Sequence, residues 1–147
     1  MPVNQAFAGR TFPATKPYEV SRVKIAEFAE AIGDDNPLYH DRDAAQAAGY
    51  PDVIAPPTFP IVITMAASSA AIGDPGLGIN YAMVVHGEQS FTYSRPLHAG
   101  DVVTAQSTIE SIRTAGSNTL MNTRTELRTV DGEHVCTAFS IIVERGA

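Results

Sequence analysis

Within Gly33-Asp34-Asp35-Asn36-Pro37-Leu38-Tyr39-His40-Asp41 a carboxylate, an amide and an imidazole stand inside seven consecutive positions, Asp34 to His40. Asp34 supplies an oxygen acceptor and His40 a group that titrates near neutral pH, a pair suited to holding and deprotonating a water molecule. Asn36 adds an amide that both donates and accepts. The bland alternative is a helix-ending turn in which Asp34 and Asn36 bond local backbone and His40 is an exposed loop residue beside Asp41. A second imidazole, His86, lies in Val85-His86-Gly87-Glu88-Gln89. A glycine inside a strand-like run marks a bulge or a close backbone approach. His86 is thus either an ordinary strand residue or a cleft or interface residue. His98 and His134 fall in turn regions and are expected to be solvated, and Cys136 alternates within a strand as a small buried hydrophobe.

The elements that must carry these residues follow from period and punctuation. Pro17 to Val20 reads as a short strand. Ser21 is an N-cap, and Val23, Ile25, Ala26, Phe28, Ala29 and Ile32 recur at helical spacing until Gly33 ends the helix. Asp34 to Pro37 is a dense turn signal. Asp43 caps a short helix over Ala44 to Ala48, which Gly49 stops. Thr58 to Ala71 is apolar almost all round, so it predicts a core helix with Pro60 in its first turn. Met65 and Ala66 fit either core or the wall of a tunnel. The period then changes. Val84 to Pro96, Val102 to Arg113, Thr119 to Val130 and Val135 to Glu144 read as strands, with a hairpin at Asp131-Gly132. Asn122, Arg124 and Glu126 mark one polar face. The sum is an α+β layout with one long helix against an antiparallel sheet.

Composition narrows the function classes. The 147 residues suit one domain, 1–147, and a net charge of −6 argues against non-specific nucleic-acid binding. Arg22, Lys24 and Arg95 remain candidates for a small basic patch toward an anionic cofactor tail. The single cysteine excludes an internal disulfide and a cysteine zinc site, and fits a cytoplasmic location. Met1 to Thr15 lacks the pattern of a signal peptide, and the apolar-leaning run Ile61 to Ile72 is too short for a membrane span. The four histidines show no metal spacing and no glycine-rich phosphate loop precedes a helix, so neither metal nor cofactor is expected.

Gly33, Asp34, Asn36, Pro37 and Leu38 resemble the G-D-x-N-P-[LIV]-H motif of the MaoC-like family of (R)-specific enoyl thioester hydratases and 3-hydroxyacyl thioester dehydratases. Val85-His86-Gly87-Glu88-Gln89 and Arg95-Pro96-Leu97-His98-Ala99-Gly100-Asp101 look like the same family, and the resemblance covers nearly the whole chain. It implies a hot-dog fold, a long central helix wrapped by a curved antiparallel sheet, working as a homodimer or heterodimer on acyl thioesters of coenzyme A or a carrier protein. It also implies Asp34 as a catalytic residue.

Two positions depart from the pattern. Tyr39 stands where the family's catalytic histidine belongs, and a phenol is a poor base at pH 7. His40 takes that role only if the loop shifts by one residue. Where active members read A-H-G at the start of the central helix, this chain reads Ala55-Pro56-Pro57. Proline has no N–H to polarise a thioester carbonyl, leaving Thr58 to offer its own N–H or hydroxyl. Both departures resemble the non-catalytic partner subunits of heterodimeric actinobacterial (3R)-hydroxyacyl carrier-protein dehydratases, where A-P-x-T-F occurs and Ala55-Pro56-Pro57-Thr58-Phe59 fits. Small actinobacterial FAS1-like dehydratase proteins are similar overall. The expectation is a dehydratase subunit that binds the acyl chain beside a degenerate site, with Asn36, Tyr39, Pro57, Thr58, Phe59, His86 and Gly87 touching substrate. A self-sufficient hydratase using Asp34 and His40, and a non-enzymatic acyl-thioester-binding module, are the alternatives.

Overall fold

The computed structural model describes residues 2–146; Met1 and Ala147, the ends of the expected domain range, lie outside them. Five strands form one antiparallel sheet: β1 (Tyr18–Glu19), β2 (Val84–Tyr93), β3 (Val102–Ala115), β4 (Asn118–Thr129) and β5 (His134–Glu144), in the spatial order β1-β3-β4-β5-β2. The helices are α1 (Arg22–Ala31), α2 (Pro37–His40), α3 (Arg42–Ala47) and α4 (Ile61–Ile72). The sheet curls around α4, the hot-dog layout that the resemblance implies.

Alternation sets which sheet face meets α4. On β4, Met121, Thr123, Thr125 and Leu127 are buried while Asn122, Arg124 and Glu126 are partly open, as the polar face of that strand predicts. Inward residues form two clusters. One gathers Ile25, Ala29, Tyr39, Phe59, Ile63, Leu97 and Leu127. The other gathers Val3, Phe7, Phe12, Leu77, Ile109 and Ile142, so the N-terminal arm closes the far end of the sheet. The guanidinium carbon of Arg10 sits 4.5 Å from the Phe7 ring centroid, a cation–π contact over that arm.

Gly87 lies where the β2–β5 register shifts, between His86 and Glu88. A Cβ added there would meet Val143 Cγ2 at 3.1 Å and the Ile141 carbonyl at 3.2 Å. The glycine thus marks both a bulge and a close approach.

The central helix departs from expectation twice. It begins at Ile61, not Thr58, because the preceding residues close tighter three-residue turns, Phe59 N–H bonding the Pro56 carbonyl and Val62 N–H the Phe59 carbonyl, before the helical pattern takes over. Residues 57–60 form a tight turn instead, with Ile61 N–H donating to the Thr58 carbonyl at 3.2 Å. Nor is the helix buried all round: Ile63, Thr64, Ala67 and Ala71 face inward, whereas Met65 is 50% exposed. The sheet wraps only one side of α4.

Smaller differences have local causes. Asp41, not Asp43, caps α3, accepting from the N–H groups of Asp43 and Ala44. The expected turn at Asp34 to Pro37 leads into one helical turn, α2, with Asn36 as its cap and Pro37 at its start. His98 and His134 are not solvated. Each side chain is about three-quarters buried: His98 Nδ1 meets the Ala99 carbonyl and its Nε2 faces Asp101, while His134 Nδ1 meets the Ser94 hydroxyl and its Nε2 meets Thr137 and Glu126. The basic-patch candidates are spent on carboxylates: Arg22 on Asp52, Lys24 on Glu27, and Arg95 on Asp101 and Glu133.

Candidate functional site

Helix α1 starts on its Ser21 cap and ends where Gly33, at φ +72°, takes the left-handed conformation that glycine adopts without strain. Gly33 N–H bonds the Glu30 carbonyl and Asp34 N–H bonds the Ala29 carbonyl at 2.9 Å, a double C-cap. The chain then folds through successive side-chain caps. Asp34 Oδ1 accepts from Asn36 N–H at 3.1 Å, and Asn36 Oδ1 accepts from Leu38 N–H at 3.0 Å. The local bonding expected of a simple turn is therefore present, and it uses one oxygen of each side chain.

That loop is tied to the segment before α4. Ile54 N–H donates to the Leu38 carbonyl at 3.0 Å, Ala55 N–H to Leu97 and Ala99 N–H to Val53. The anchoring strand end is fixed in turn by Asp101, which is 6% exposed. Its carboxylate accepts from both terminal nitrogens of Arg95 at 2.8 Å and from His98 N–H at 2.9 Å.

Tyr39 points inward and is 7% exposed, packed in the cluster with Phe59, Ala55 and Cys136. Burial raises its phenol pKa, and the Asp34 carboxylate raises it further. The side chain following Leu38 is thus a neutral phenol at the edge of the core. His40, the next residue, is exposed, and its Nε2 lies 3.2 Å from the Asp34 main-chain oxygen. Tyr93 sits close by. Its hydroxyl donates to the Pro57 carbonyl at 2.6 Å, and burial pushes its pKa up, with Cys136 and Tyr39 adding to the rise. Burial, and then Glu126, pushes the Cys136 thiol up to about 11.

Phe59 is fully buried and meets Phe28 of α1 edge-on at 5.4 Å, while Pro57 and Thr58 are exposed. Between Ala55 and Phe59, Thr58 carries the backbone N–H that makes no hydrogen bond among the described residues. Tyr39 thus packs with Phe59 near the start of α4, Asp34 acts on the Tyr39 phenol, and Pro57 meets the Tyr93 hydroxyl. His86 and Gly87 lie apart from them, on the exposed edge strand β2.

A cavity of about 360 Å³ runs along α4, between its Ile61, Thr64, Met65, Ser68 and Ile72 side and the inner faces of β2, β4 and β5. His86 lines it; the Asp34 loop, Pro57, Thr58 and Phe59 do not. Thr64, Ser68, Thr125 and Ser140 on its wall did not stand out in the sequence. The signal for the two strand residues was a polar side chain at an inward-alternating position, a place normally apolar. Among the described residues no group of three or more His, Cys, Asp or Glu is placed to hold a metal ion, and no helix is long and apolar enough to cross a membrane.

Comparison with known proteins places this geometry. The family described as "FAS1-like, dehydratase domain region" matches residues 6–138. A UPF0336 protein of Streptomyces avermitilis is 52% identical over 147 residues, covering 100% of this chain and 98% of its own. Among solved structures, the C-terminally truncated HadBC (3R-hydroxyacyl-ACP dehydratase) complex of Mycobacterium tuberculosis aligns with TM-score 0.85 at 26% identity, over 93% of this chain and 96% of that one. A MaoC-like dehydratase aligns with TM-score 0.89 at 29% identity, over 97% of this chain and 43% of that one. With its motif frame, its curled sheet and these matches, the chain belongs to the FAS1-like dehydratase family and has the MaoC-like hot-dog fold.

Proposed function

We propose that this chain is a subunit of a (3R)-hydroxyacyl thioester dehydratase, or equivalently an enoyl thioester hydratase, that binds the acyl group while a catalytic hot-dog partner supplies the acid–base pair. The thioester is carried by coenzyme A or by an acyl carrier protein, the chain is one domain, and the complex works in the cytoplasm. The observation that carries the reading is Tyr39: a buried neutral phenol stands beside Asp34, where the motif calls for an imidazole. At pH 7 such a group does not take up the proton that hydration of an enoyl thioester requires. The start of α4 supports the same conclusion. Pro56 and Pro57 offer no N–H, and losing one donor from an oxyanion site lowers rates by ~10²–10³-fold. The 26% identical HadBC complex, itself described as a 3R-hydroxyacyl-ACP dehydratase, supports a two-subunit arrangement.

The test is hydration of crotonyl-CoA, followed by loss of enoyl absorbance. The purified chain is expected to be inactive alone, and a stoichiometric mixture with a hot-dog protein carrying an intact G-D-x-N-P-x-H motif and A-H-G helix start is expected to turn over. Turnover by the chain alone contradicts the proposal.

One observation favours a self-sufficient hydratase instead: the His40 ring folds back onto the Asp34 main chain, so both residues share one loop surface. On that reading His40→Ala removes a general base and lowers turnover by ~10²–10⁴-fold. On the subunit reading the same change moves the rate of the complex by less than about threefold. A cleft that keeps binding acyl-CoA without turnover under any pairing identifies the non-enzymatic module.

A further inference from the structure

The cavity beside α4 is lined mainly by apolar side chains, but a belt of hydroxyl groups interrupts them. Its two ends are apolar, with Ile61 and Ala138 at one and Ile72 and Ile142 at the other. Between them hydroxyl groups converge from both walls. Thr64 and Ser68 face in from the helix, Thr125 and Ser140 from the sheet. Thr64 is only 3% exposed, and what exposure it has is toward the cavity it lines. The sheet hydroxyls are held in place by partners behind them. Ser107 and Thr125 lie 2.6 Å apart, and so do Thr123 and Ser140. Each such pair spends one hydrogen internally and leaves the other available toward the cavity.

A hydroxyl that loses its water without gaining a partner costs free energy. A saturated acyl chain threaded past Thr64 would strip water from these groups and return no hydrogen bond. An oxygen at the same level would satisfy them from both sides. The space suits a medium-length group, since about 360 Å³ lies at the small end of the roughly 300–1,000 Å³ typical of ligand pockets.

We infer that the acyl group taken by this cavity carries a hydrogen-bonding oxygen, a hydroxyl or a keto group, part-way along its chain and beyond the 3-position on which a dehydratase acts. The inference rests on the acyl-thioester reading above and names its substrate class. The belt formed by Thr64, Ser68, Thr125 and Ser140 is the element that selects it.

Calorimetric titration of the full chain with octanoyl-CoA and with 5-, 6- and 7-hydroxyoctanoyl-CoA tests this. The best hydroxylated isomer is expected to bind at least tenfold tighter than octanoyl-CoA. Thr64→Val, which keeps the shape and deletes the hydroxyl, is expected to bring the two within threefold by weakening the hydroxylated ligand only, and Thr64→Ser to restore the difference. Ser68→Ala, at a half-buried position, gives the same reading should Thr64→Val fold poorly. Octanoyl-CoA binding as tightly as every hydroxylated isomer overturns the inference alone, because water then fills the belt at no disadvantage. A preference unchanged in both Thr64→Val and Ser68→Ala also overturns it. Failure of all four thioesters to bind overturns the acyl-thioester reading together with it.

Discussion

Asp101→Ala should be among the most damaging single changes outside the apolar core. The carboxylate is 6% exposed and holds three donors: the two terminal nitrogens of Arg95, each at 2.8 Å, and His98 N–H at 2.9 Å. Removing one member of a buried ion pair typically costs about 3–5 kcal/mol. Two features reduce that figure here. The Arg95 side chain is 25% exposed, and it retains Glu133 at 2.8 Å as a second partner. Losing the carboxylate acceptor of the His98 main-chain N–H adds about 1 kcal/mol. The net expectation is about 2–4 kcal/mol, which for a chain of this length lowers Tm by roughly 5–15 °C. Urea unfolding monitored by far-UV circular dichroism reads it directly. Glu133→Ala, which removes only the exposed partner, should cost far less. The Arg95→Ala/Asp101→Ala double variant should be less destabilised than the two single losses summed, since each single change strands a charge. Asp101→Ala costing no more than Glu133→Ala would refute the assignment of Asp101 as the anchor beneath Leu97 and Ala99, and with them of the segment leading to α4.

Further outcomes follow from other contacts. Asp52, which accepts from Arg22 at 2.7 Å, is held at a pKa of about 2, mainly by that hydrogen bond, against an ordinary value of 3.8. A lowered folded pKa stabilises above the unfolded value and is lost as pH falls through the folded one. Asp52→Asn should therefore cost about 1 kcal/mol at pH 6, after allowance for water around the half-exposed Arg22, and little at pH 2, by urea unfolding at both values. Cys136, with its thiol pushed up to about 11 and no exposure, should react with iodoacetamide at pH 8 at least about 10²-fold more slowly in the native chain than in urea, by mass spectrometry. Equal rates would place the thiol at the surface. Gly87→Ala should cost about 1–3 kcal/mol, because the added methyl meets Val143 Cγ2 and the rigid Ile141 carbonyl. An unchanged unfolding midpoint would mean the β2 bulge opens freely.

Much of the fold was legible because period and punctuation agreed. Ser21, Gly33, Gly49 and Asp131-Gly132 all end or begin elements where their backbone preferences demand. The start of α4 falls three residues later than composition suggests, because residues 57–60 close tight three-residue turns that apolar content does not reveal. The outer side of α4 misled for another reason: an apolar stripe reports that something covers a face, not that the same chain does so. Val3, Phe7 and Phe12 escaped notice because single hydrophobic residues in an aperiodic arm carry no pattern. At the candidate site the sequence brought Asp34, Asn36 and Tyr39 together, being neighbours in one loop. It also linked them to Pro57–Phe59 through the family resemblance. It did not reveal that His86 shares a cavity with Thr64 and Ser140, since that meeting depends on strand register across β2 and β5. His134 was misread because turn position says nothing about the distant Ser94 hydroxyl that arrives beside its ring, and His98 because the same tight turn brings Asp101 back against it.

Three prolines, Pro56, Pro57 and Pro60, stand within five residues of one another at the mouth of the central helix. Their rings fix three backbone torsions before folding begins, so this stretch sheds little disorder on becoming native and has little freedom to regain afterwards. Local opening at this end of the molecule therefore falls to the capped turns between Asp34 and Asp41, whose side-chain-to-backbone bonds span only two or three residues.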